Sequence, residues 1–424
     1  MNKNDNNFLF HNLPAIRDEK NNIIVFSPYS GEIAVFNEGK MKKENLDKLR
    51  HSGFFGKPDL SRGTSNICLG LVLTKQCNLS CKYCYANGGE NISNGEMSLE
   101  MAITAIEAFI KEKKHAETIE IHFFGGEPTL KMDIIKGVVE WLKSNSKLKR
   151  LFRISTNGLL NNSDLNYLIK EEFHLSVSYD GLADVQNHLR PLRNGKTSAA
   201  IVEQTIKNLV KSGKKFNVHP TITSFNIEVL DKIIEHLAEL GVKYVHLEKI
   251  RTSTGRGKLC NYLDLDAKKY TDWFSLALTT AFKHKIYLFT SPLMSLFSPT
   301  NFYCSLCAGK QFVVLPNGDI SVCFVEPEKF KVGKIIFKEK KVLFTKRINK
   351  FLAIGNNNKM SKSCETCFAK FVCAGGCPLD NLTATRSIYK PDPENCVINK
   401  EILTQAISSL KEFSFPVVSG ILHL

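Results

Sequence analysis

Between residues 67 and 250 the sequence alternates six times between a short apolar run and a stretch of helical period. The runs are ICLGLVLT (67–74), IEIHFF (119–124), RLFRIST (150–156), FHLSVSY (173–179), KFNVHPTI (215–222) and VKYVHLEKI (242–250). Apolar residues recur at helical spacing over 98–114, 130–145, 164–171, 198–212 and 227–240, as in LDKIIEHLAEL (230–240). Strands joined through helices by short loops form a parallel sheet, open or curled into a partial barrel. A further amphipathic helix over 266–284 closes this body.

The flanks read differently. NNIIVFSPYSGEIAVF (21–36) predicts two strands around the turn Pro28-Tyr29-Ser30-Gly31, and MKKENLDKLRHSGFF (41–55) a helix stopped by Gly53. After residue 300 the chain carries eight cysteines. NFYCSLCAGKQFVVLPNGDISVC (301–323) predicts a hairpin turning at Pro316-Asn317-Gly318, and 355–396 predicts little regular structure. Three regions follow: an N-terminal module (1–66), a main body (67–285) and a cysteine-rich C-terminal region (286–424) that ends in a helix. So little apolar core in the last region needs another source of order, and metal clusters would supply it.

Composition narrows the class. Hydrophobic content of 43% and charged content of 23% are globular values. No apolar stretch reaches the length of a membrane span, and MNKNDNNFLF has no apolar signal core, so a cytoplasmic protein is expected. Thirteen cysteines without an export signal point to metal or redox chemistry rather than disulfides. The formal charge of +15 falls to roughly +10 if eleven cysteines become thiolates around three oxidised clusters. The lysines are scattered and no nucleic-acid-binding signature is present, so a solvated basic surface fits better than a nucleic-acid partner.

The first chemical constellation is TKQCNLSCKYCYA, where Cys77, Cys81 and Cys84 stand in C-x-x-x-C-x-x-C spacing behind the first strand. Three thiolates can hold three irons of a [4Fe–4S] cluster and leave the fourth open to a small molecule. Zinc prefers four ligands in paired C-x-x-C steps and fits poorly. Similar loops end the next strands: FFGGEPTL (123–130), STNG (155–158) and SYDG (178–181). Sites on parallel barrels lie at such C-terminal strand ends.

CNLSCKYC, with Tyr83 before its last cysteine, resembles the signature of the radical S-adenosylmethionine (SAM) enzymes. The resemblance implies a cluster whose open iron chelates SAM, and reductive cleavage of SAM to a 5′-deoxyadenosyl radical that abstracts a substrate hydrogen atom. It also implies cofactor contacts. Gly125, Gly126 and Glu127 would hold the methionine ammonium. Ser155, Thr156 and Asn157 would lie on the ribose side. Ser178 and Asp180 come from the SYDG motif; Ser178 and Arg190 would serve the methionine carboxylate, with Arg193 a nearby competitor.

The C-terminal cysteines resemble the SPASM extension of radical enzymes that modify peptides and proteins. Cys307 is followed by Gly318 and Cys323, then by Cys364-x₂-Cys367-x₅-Cys373-x₃-Cys377 and Cys396. The resemblance implies two auxiliary [4Fe–4S] clusters, one on Cys304, Cys307, Cys323 and Cys377, the other on Cys364, Cys367, Cys373 and Cys396. If only one of Cys304 and Cys307 binds iron, the first auxiliary cluster is open to a substrate sulfur. Zinc knuckles are the alternative for the C-x-x-C steps.

The expected architecture is therefore α/β: a partial (βα)6 TIM-like barrel with a small N-terminal hairpin–helix module and a SPASM domain. The expected function is maturation of a ribosomally made peptide by a thioether, a carbon–carbon crosslink or epimerisation. Its needs are SAM, three [4Fe–4S] clusters, a precursor peptide or protein, and an external electron donor of flavodoxin or ferredoxin type. Alternatives are an anaerobic sulfatase maturase forming formylglycine, an enzyme maturing a peptide-derived redox cofactor, and an iron–sulfur electron carrier or zinc scaffold. The N-terminal strands offer an edge for a precursor peptide. Cys68 is expected to be a buried apolar thiol, and Cys260, in TGRGKLCN, is a candidate hydrogen-atom donor. His115, His122, His174, His219 and His246 show no ligand spacing and read as structural.

Overall fold

The computed structural model describes residues 7–10, 13–27, 33–36, 43–51, 54–56, 66–89, 95–294, 296, 302–355 and 361–412. The chain divides into two compact units. The first comprises Met1–Arg62, Asp266–Cys304 and Ile354–Leu424; the second comprises Gly63–Leu265 and Ser305–Ala353.

The first unit opens with an antiparallel sheet of β1 (Asn7–Phe10), β2 (Leu13–Arg17), β3 (Ile23–Phe26) and β4 (Ile33–Phe36), in that order. Leu13, Ala15, Ile23, Val25 and Phe36 meet Phe54 in one apolar cluster, joined by Leu46 and Leu49 of α1 (Lys43–His51). The sequence indicates β3, β4 and α1 but not β1 and β2, which are short and separated by only two residues. The 28–31 turn and Gly53 lie outside the described residues.

In the second unit six strands run parallel in sequence order. They are β5 (Asn66–Thr74), β6 (Thr118–Gly125), β7 (Lys149–Thr156), β8 (His174–Val177), β9 (Phe216–Val218) and, after the short β10 (Thr221–Ile222), β11 (Tyr244–His246). Pro220 has no N–H to give, and the run expected as one strand breaks there. β10 pairs with β12 (Glu248–Lys249) instead. The crossovers are α2 (Leu99–Glu112), α3 (Met132–Asn145), α4 (Asn162–Lys170), α5 (Ala183–Leu189), α6 (Ala199–Lys211) and α7 (Leu230–Glu239). Ser98 and Asn161 cap α2 and α4 through the amides of Met101 and Asp164, at 3.1 and 2.9 Å. α5 is too short for periodicity to register and was not expected.

The chain then returns to the first unit with α8 (Ala267–Lys283) and β13 (Tyr287–Phe289). Back in the second unit, β14 (Phe312–Val314) lies parallel to β5 and forms the expected hairpin with β15 (Asp319–Ser321). β16 (Lys331–Ile336) and β17 (Lys341–Phe344) extend it as an antiparallel meander, followed by α9 (Ile348–Gly355). The first unit ends with α10 (Lys362–Glu365), α11 (Lys370–Cys373) and α12 (Pro378–Thr385), where irregular chain was expected, and with the C-terminal helix α13 (Pro393–Glu412). α10 and α11 are single turns, below the length at which spacing signals a helix. α13 lies on α8, and Gln405 Nε2 donates to the Thr271 carbonyl at 3.0 Å.

Alternation decides what the parallel sheet presents. On β6 and β7, Ile119, Ile121, Phe123 and Ile154 are fully buried, as their side of a two-sided strand requires. The other face carries Glu120, His122, Arg153 and Ser155, all half-buried. The sheet thus has an apolar side and a polar side, and the motif loops open at its C-terminal edge.

Candidate active site at the C-terminal strand ends

The cysteine loop follows β5 directly. The sulfur of Cys77 accepts from the Leu79 amide at 3.4 Å and from Asn157 Nδ2 at 3.7 Å; that of Cys84 accepts from the Gly88 amide at 3.2 Å. Such donors suit sulfurs carrying negative charge. Burial pushes the Cys81 thiol up to about 12 and also raises Cys77, so free thiols here stay protonated until a metal replaces the protons.

The loop is held from two sides. The amides of Ser80 and Lys82 donate to the carbonyls of Pro191 and Leu189 at 2.8 and 3.0 Å, and Arg193 donates to the Gly88 carbonyl. On the other side, Arg256 Nη1 donates to Ser80 Oγ and the Cys81 carbonyl, both at 3.1 Å, while its amide donates to the Cys84 carbonyl at 2.9 Å. A Cβ on Gly255 would stand 2.2 Å from the Tyr85 carbonyl oxygen, so only glycine fits that approach. The TGRG run is the signal in the sequence for this clamp, and spacing alone did not show its purpose.

The second loop packs on the first. The amides of Gly126 and Glu127 donate to the carbonyls of Thr74 and Gln76, both at 2.8 Å. Glu127 is 1% exposed. Its Oε1 accepts from the Thr129 amide (3.1 Å), Thr129 Oγ1 (2.7 Å) and Thr156 Oγ1 (2.8 Å); its Oε2 accepts from the Asn157 amide at 2.7 Å. Burial raises its pKa, and these donors act against that rise. Oε2 retains a lone pair for a further donor. Asn157 Nδ2 also donates to Asn78 Oδ1 at 2.6 Å, so the STNG loop touches both the cysteine loop and the glutamate.

Tyr83, Asp180 and Arg190 form a buried group. The Tyr83 hydroxyl donates to Asp180 Oδ2, and Arg190 Nε pairs with the same oxygen at 3.1 Å. The Arg190 guanidinium lies 5.2 Å from the Tyr83 ring centre, and its Nη2 donates to Thr221 Oγ1 at 3.2 Å. Burial disfavours its charge, yet the Asp180 carboxylate outweighs this and raises its pKa. Guanidinium donors remain for a second anion. Ser178 follows β8, its amide bonded to the Thr156 carbonyl at 2.8 Å.

Sequence reasoning missed the polar face. Register places His122 beside Arg153 and Arg153 beside His174. Glu120 pairs with Arg153 Nε at 2.8 Å, His122 Nε2 lies 3.1 Å from Ser155 Oγ, and Asn217 Nδ2 donates to Ser176 Oγ at 2.9 Å. His219 and His246 stack at 4.5 Å, with His246 Nε2 2.7 Å from Glu248 Oε1. Burial lowers His122 and His219 to about 3, the first helped by Arg153 and the second by His246, so both are neutral at pH 7. Cys68 belongs to this face, beside Glu120, rather than to the apolar core expected for it. Cys260 is 7% exposed, and its thiol donates to the Lys82 carbonyl at 3.1 Å, which makes it a tie on the cysteine loop.

In the first unit, Cys364, Cys367, Cys373 and Cys396 all line one pocket of about 310 Å³, part of it open to solvent. Asn399 Nδ2 donates to Cys373 Sγ at 3.2 Å, and Lys370 and Lys400 lie on the wall. Ala374, Gly375 and Gly376 have φ of 45°, 87° and 79°, a left-handed run that two glycines make affordable. Among the described residues, no three His, Cys, Asp or Glu side chains are disposed to hold a single metal ion; a cubane spreads its thiolates wider. Of the other expected set, Cys307 and Cys323 belong to the second unit, where Cys307 Sγ donates to the Val322 carbonyl at 3.3 Å. Cys304 and Cys377 belong to the first.

The residues present fit a cluster and SAM: three cysteines, two of them with sulfur-directed donors, a glycine pair too close to backbone for any Cβ, and a buried carboxylate with spare capacity. A family model described as the radical SAM superfamily matches residues 71–237. The serine-type anaerobic sulfatase-maturating enzyme of Bacteroides thetaiotaomicron is 25% identical over 73% of this chain and 81% of its own. The radical SAM cyclopropyl synthase TigE of Paramaledivibacter caminithermalis is 28% identical over 41% of this chain and 40% of its own. A solved structure of anSMEcpe with bound AdoMet shares the fold, with a TM-score of 0.70 at 21% identity over 84% of this chain and 97% of that one. With the cysteine loop heading a parallel sheet of this fold, residues 71–237 are a radical SAM domain and the chain is a radical SAM enzyme.

Proposed function

We propose that the chain is a maturase that removes a hydrogen atom from a side chain or α-carbon of a peptide or protein, using SAM and three [4Fe–4S] clusters. The observation that carries this reading is Asn157, whose amide is bonded to Glu127 and whose side chain reaches Cys77 and Asn78. One residue thereby couples the place of the cluster to the place of the cofactor's ammonium. When bound, the cluster and SAM supply a 5′-deoxyadenosyl radical, which attacks the substrate C–H bond.

The chain's own residues do the positioning. Glu127 Oε2 takes the methionine ammonium, and Arg190 and Ser178 take its carboxylate, with Ser155, Thr156 and Asn157 toward the ribose. Asp180 and Tyr83 hold Arg190. The polar face of β6–β11 is left for the rest of the cofactor and for the peptide, which must lie close and dry against so reactive a radical. Cys364, Cys367, Cys373 and Cys396 hold one auxiliary cluster. The N-terminal sheet ends in β4, whose Val35 is 48% exposed, and offers an edge to a precursor peptide.

Two substrates fit this site. Sulfatase-maturating relatives span most of the chain, which favours oxidation of a Cys or Ser to formylglycine. The likeness to a cyclopropyl synthase and the N-terminal sheet favour a ribosomal peptide. Anaerobic incubation of the iron-loaded enzyme with SAM, a reductant and either a sulfatase-motif peptide or short peptides encoded beside the gene separates them by mass spectrometry. Aldehyde formation identifies the first; a lost hydrogen pair without an aldehyde, or deuterium uptake from solvent, identifies the second. SAM cleavage that no peptide stimulates would contradict both.

A further inference from the structure

Three aromatic rings form a wall beside the cysteine loop. Tyr85 follows Cys84, Phe124 precedes Gly125, and Phe324 follows Cys323. Phe324 stacks on Phe124 with ring centres 5.1 Å apart and meets the Tyr85 ring edge to face at 5.8 Å. Gly70 of β5 leaves the room, since a Cβ there would stand 2.8 Å from the Phe124 ring. Alternation puts Phe124 on the polar face of β6, with Glu120 and His122. His122 packs behind Phe124 at 3.7 Å, and its Nε2 lies 3.1 Å from the Oγ of Ser155, the residue assigned to the ribose side. Phe324 is half-buried and Tyr85 is 36% exposed, so ring surface is left over for a ligand.

The wall is poor in groups that can take a proton. Phe124 and Phe324 offer none, and a tyrosine phenol keeps its proton at neutral pH. His122, behind the wall, is pushed down to about 3 by burial and Arg153, which makes it a weak base. Glu326, two residues past Phe324, is paired with Lys329 at 3.6 Å, and Glu120 with Arg153 at 2.8 Å. Glu127 is committed to its donors and to the cofactor's ammonium. The other interior histidines lie on or just after β8, β9 and β11, beyond β7 in the sheet, with Glu248 bound to His246.

We propose that Phe124, Phe324 and Tyr85 seat an apolar side chain, such as Val, Leu or Phe, on the peptide residue that gives up its hydrogen atom, and so select against Cys and Ser. This rests on the maturase reading above and narrows its substrate. Oxidation of Cys or Ser to an aldehyde also needs the S–H or O–H proton to leave, and the wall holds no base to take it. Loss of a hydrogen atom from an apolar side chain needs none. One C–H bond breaks on the substrate, one forms at the 5′-carbon of the deoxyadenosyl radical, and no proton or electron is released. Stacked rings favour an apolar side chain because it leaves water on binding, and they keep water from the reacting carbon.

The test uses the iron-loaded full chain with SAM, a strong reductant and pools of short random-sequence peptides. In each pool one residue type, Val, Leu, Phe, Cys or Ser, carries side-chain deuterium. Mass spectrometry reads the deuterium that reaches 5′-deoxyadenosine. Wild type should take at least tenfold more from the best apolar pool than from the Cys or Ser pool. In Phe324→Asp that ratio should fall at least tenfold, and Phe324→Leu should keep most of it. The ratio is read within one variant, so a loss of folded enzyme does not move it. Deuterium taken mainly from the Cys or Ser pool, or a ratio unchanged in Phe324→Asp, would overturn the proposal and leave the maturase reading standing. Release of 5′-deoxyadenosine without deuterium from any pool would overturn the maturase reading, and the proposal with it.

Discussion

The backbone amide of Asn157 donates to Glu127 Oε2 at 2.7 Å, tying the ends of two neighbouring strands. Three further bonds to Oε1, from the Thr129 amide, Thr129 Oγ1 and Thr156 Oγ1, fix the carboxylate and leave capacity on Oε2. Replacing Glu127 therefore tests structure and binding together. Glu127→Gln keeps an acceptor for the Oε1 donors but sets its NH2 against the Asn157 amide, so it should lose about 1–3 kcal/mol of stability and bind SAM roughly 10- to 100-fold more weakly, since a hydrogen bond to a charged group contributes about 1.5–3 kcal/mol. Glu127→Ala strands the donors to both oxygens and should be less stable still. Calorimetric titration and denaturant unfolding read the two effects; equal SAM affinity in Glu127→Gln and wild type would count against the assigned role.

Gly126 has no room for a side chain. A Cβ there would stand 2.3 Å from the carbonyl oxygens of both Lys75 and Gln76. Gly126→Ala must push the cysteine loop away, so iron on that loop should fall while iron at the C-terminal cysteines stays. Iron content measured with and without the C-terminal cysteines distinguishes this from general misfolding.

Asp180 and Arg190 are a buried pair, with side chains 0% and 10% exposed. Asp180→Ala leaves the guanidinium charged and unpaired, a change that costs about 3–5 kcal/mol. Asp180→Ala/Arg190→Met removes the stranded charge and should recover much of that loss. Urea unfolding of the two variants gives the comparison; equal destabilisation would show that the pair is not coupled.

Burial pushes Cys81 and Cys373 from an ordinary 9.0 up to about 12. Between those values the unfolded chain gives up protons that the folded, iron-free chain keeps. Stability of the iron-free chain must then fall as pH rises from about 9 toward 12. Iron already displaces these protons in the loaded protein, so its stability should not fall in that way. Melting temperatures at about pH 8 and about pH 10 for both forms test this, and parallel falls would contradict it.

The order of strands and the motif loops were legible because both are local: a strand period, then glycine, carboxylate or cysteine at its end. That Cys364, Cys367, Cys373 and Cys396 line one pocket follows the grouping the SPASM resemblance implied, whereas local spacing alone would have offered Cys377 as the fourth. What stayed hidden depends on register. His122, His174, His219 and His246 lie far apart in sequence and on one polar face in space, because parallel pairing sets Arg153 between the first two and lets the others stack. Arg190 was visible as an arginine near SYDG, but Asp180 and Tyr83 as its holders were not. The sequence placed Cys260 near the strand ends, but its bond to the Lys82 carbonyl depends on the fold and was not legible.

The most direct test is 5′-deoxyadenosine released from SAM by the anaerobically reconstituted chain under a strong reductant. Wild type should release it, and the variant with Cys77, Cys81 and Cys84 all changed to Ala should release none, while keeping the iron bound by its C-terminal cysteines. Release by the triple variant, or none by an iron-loaded wild type, would contradict the account.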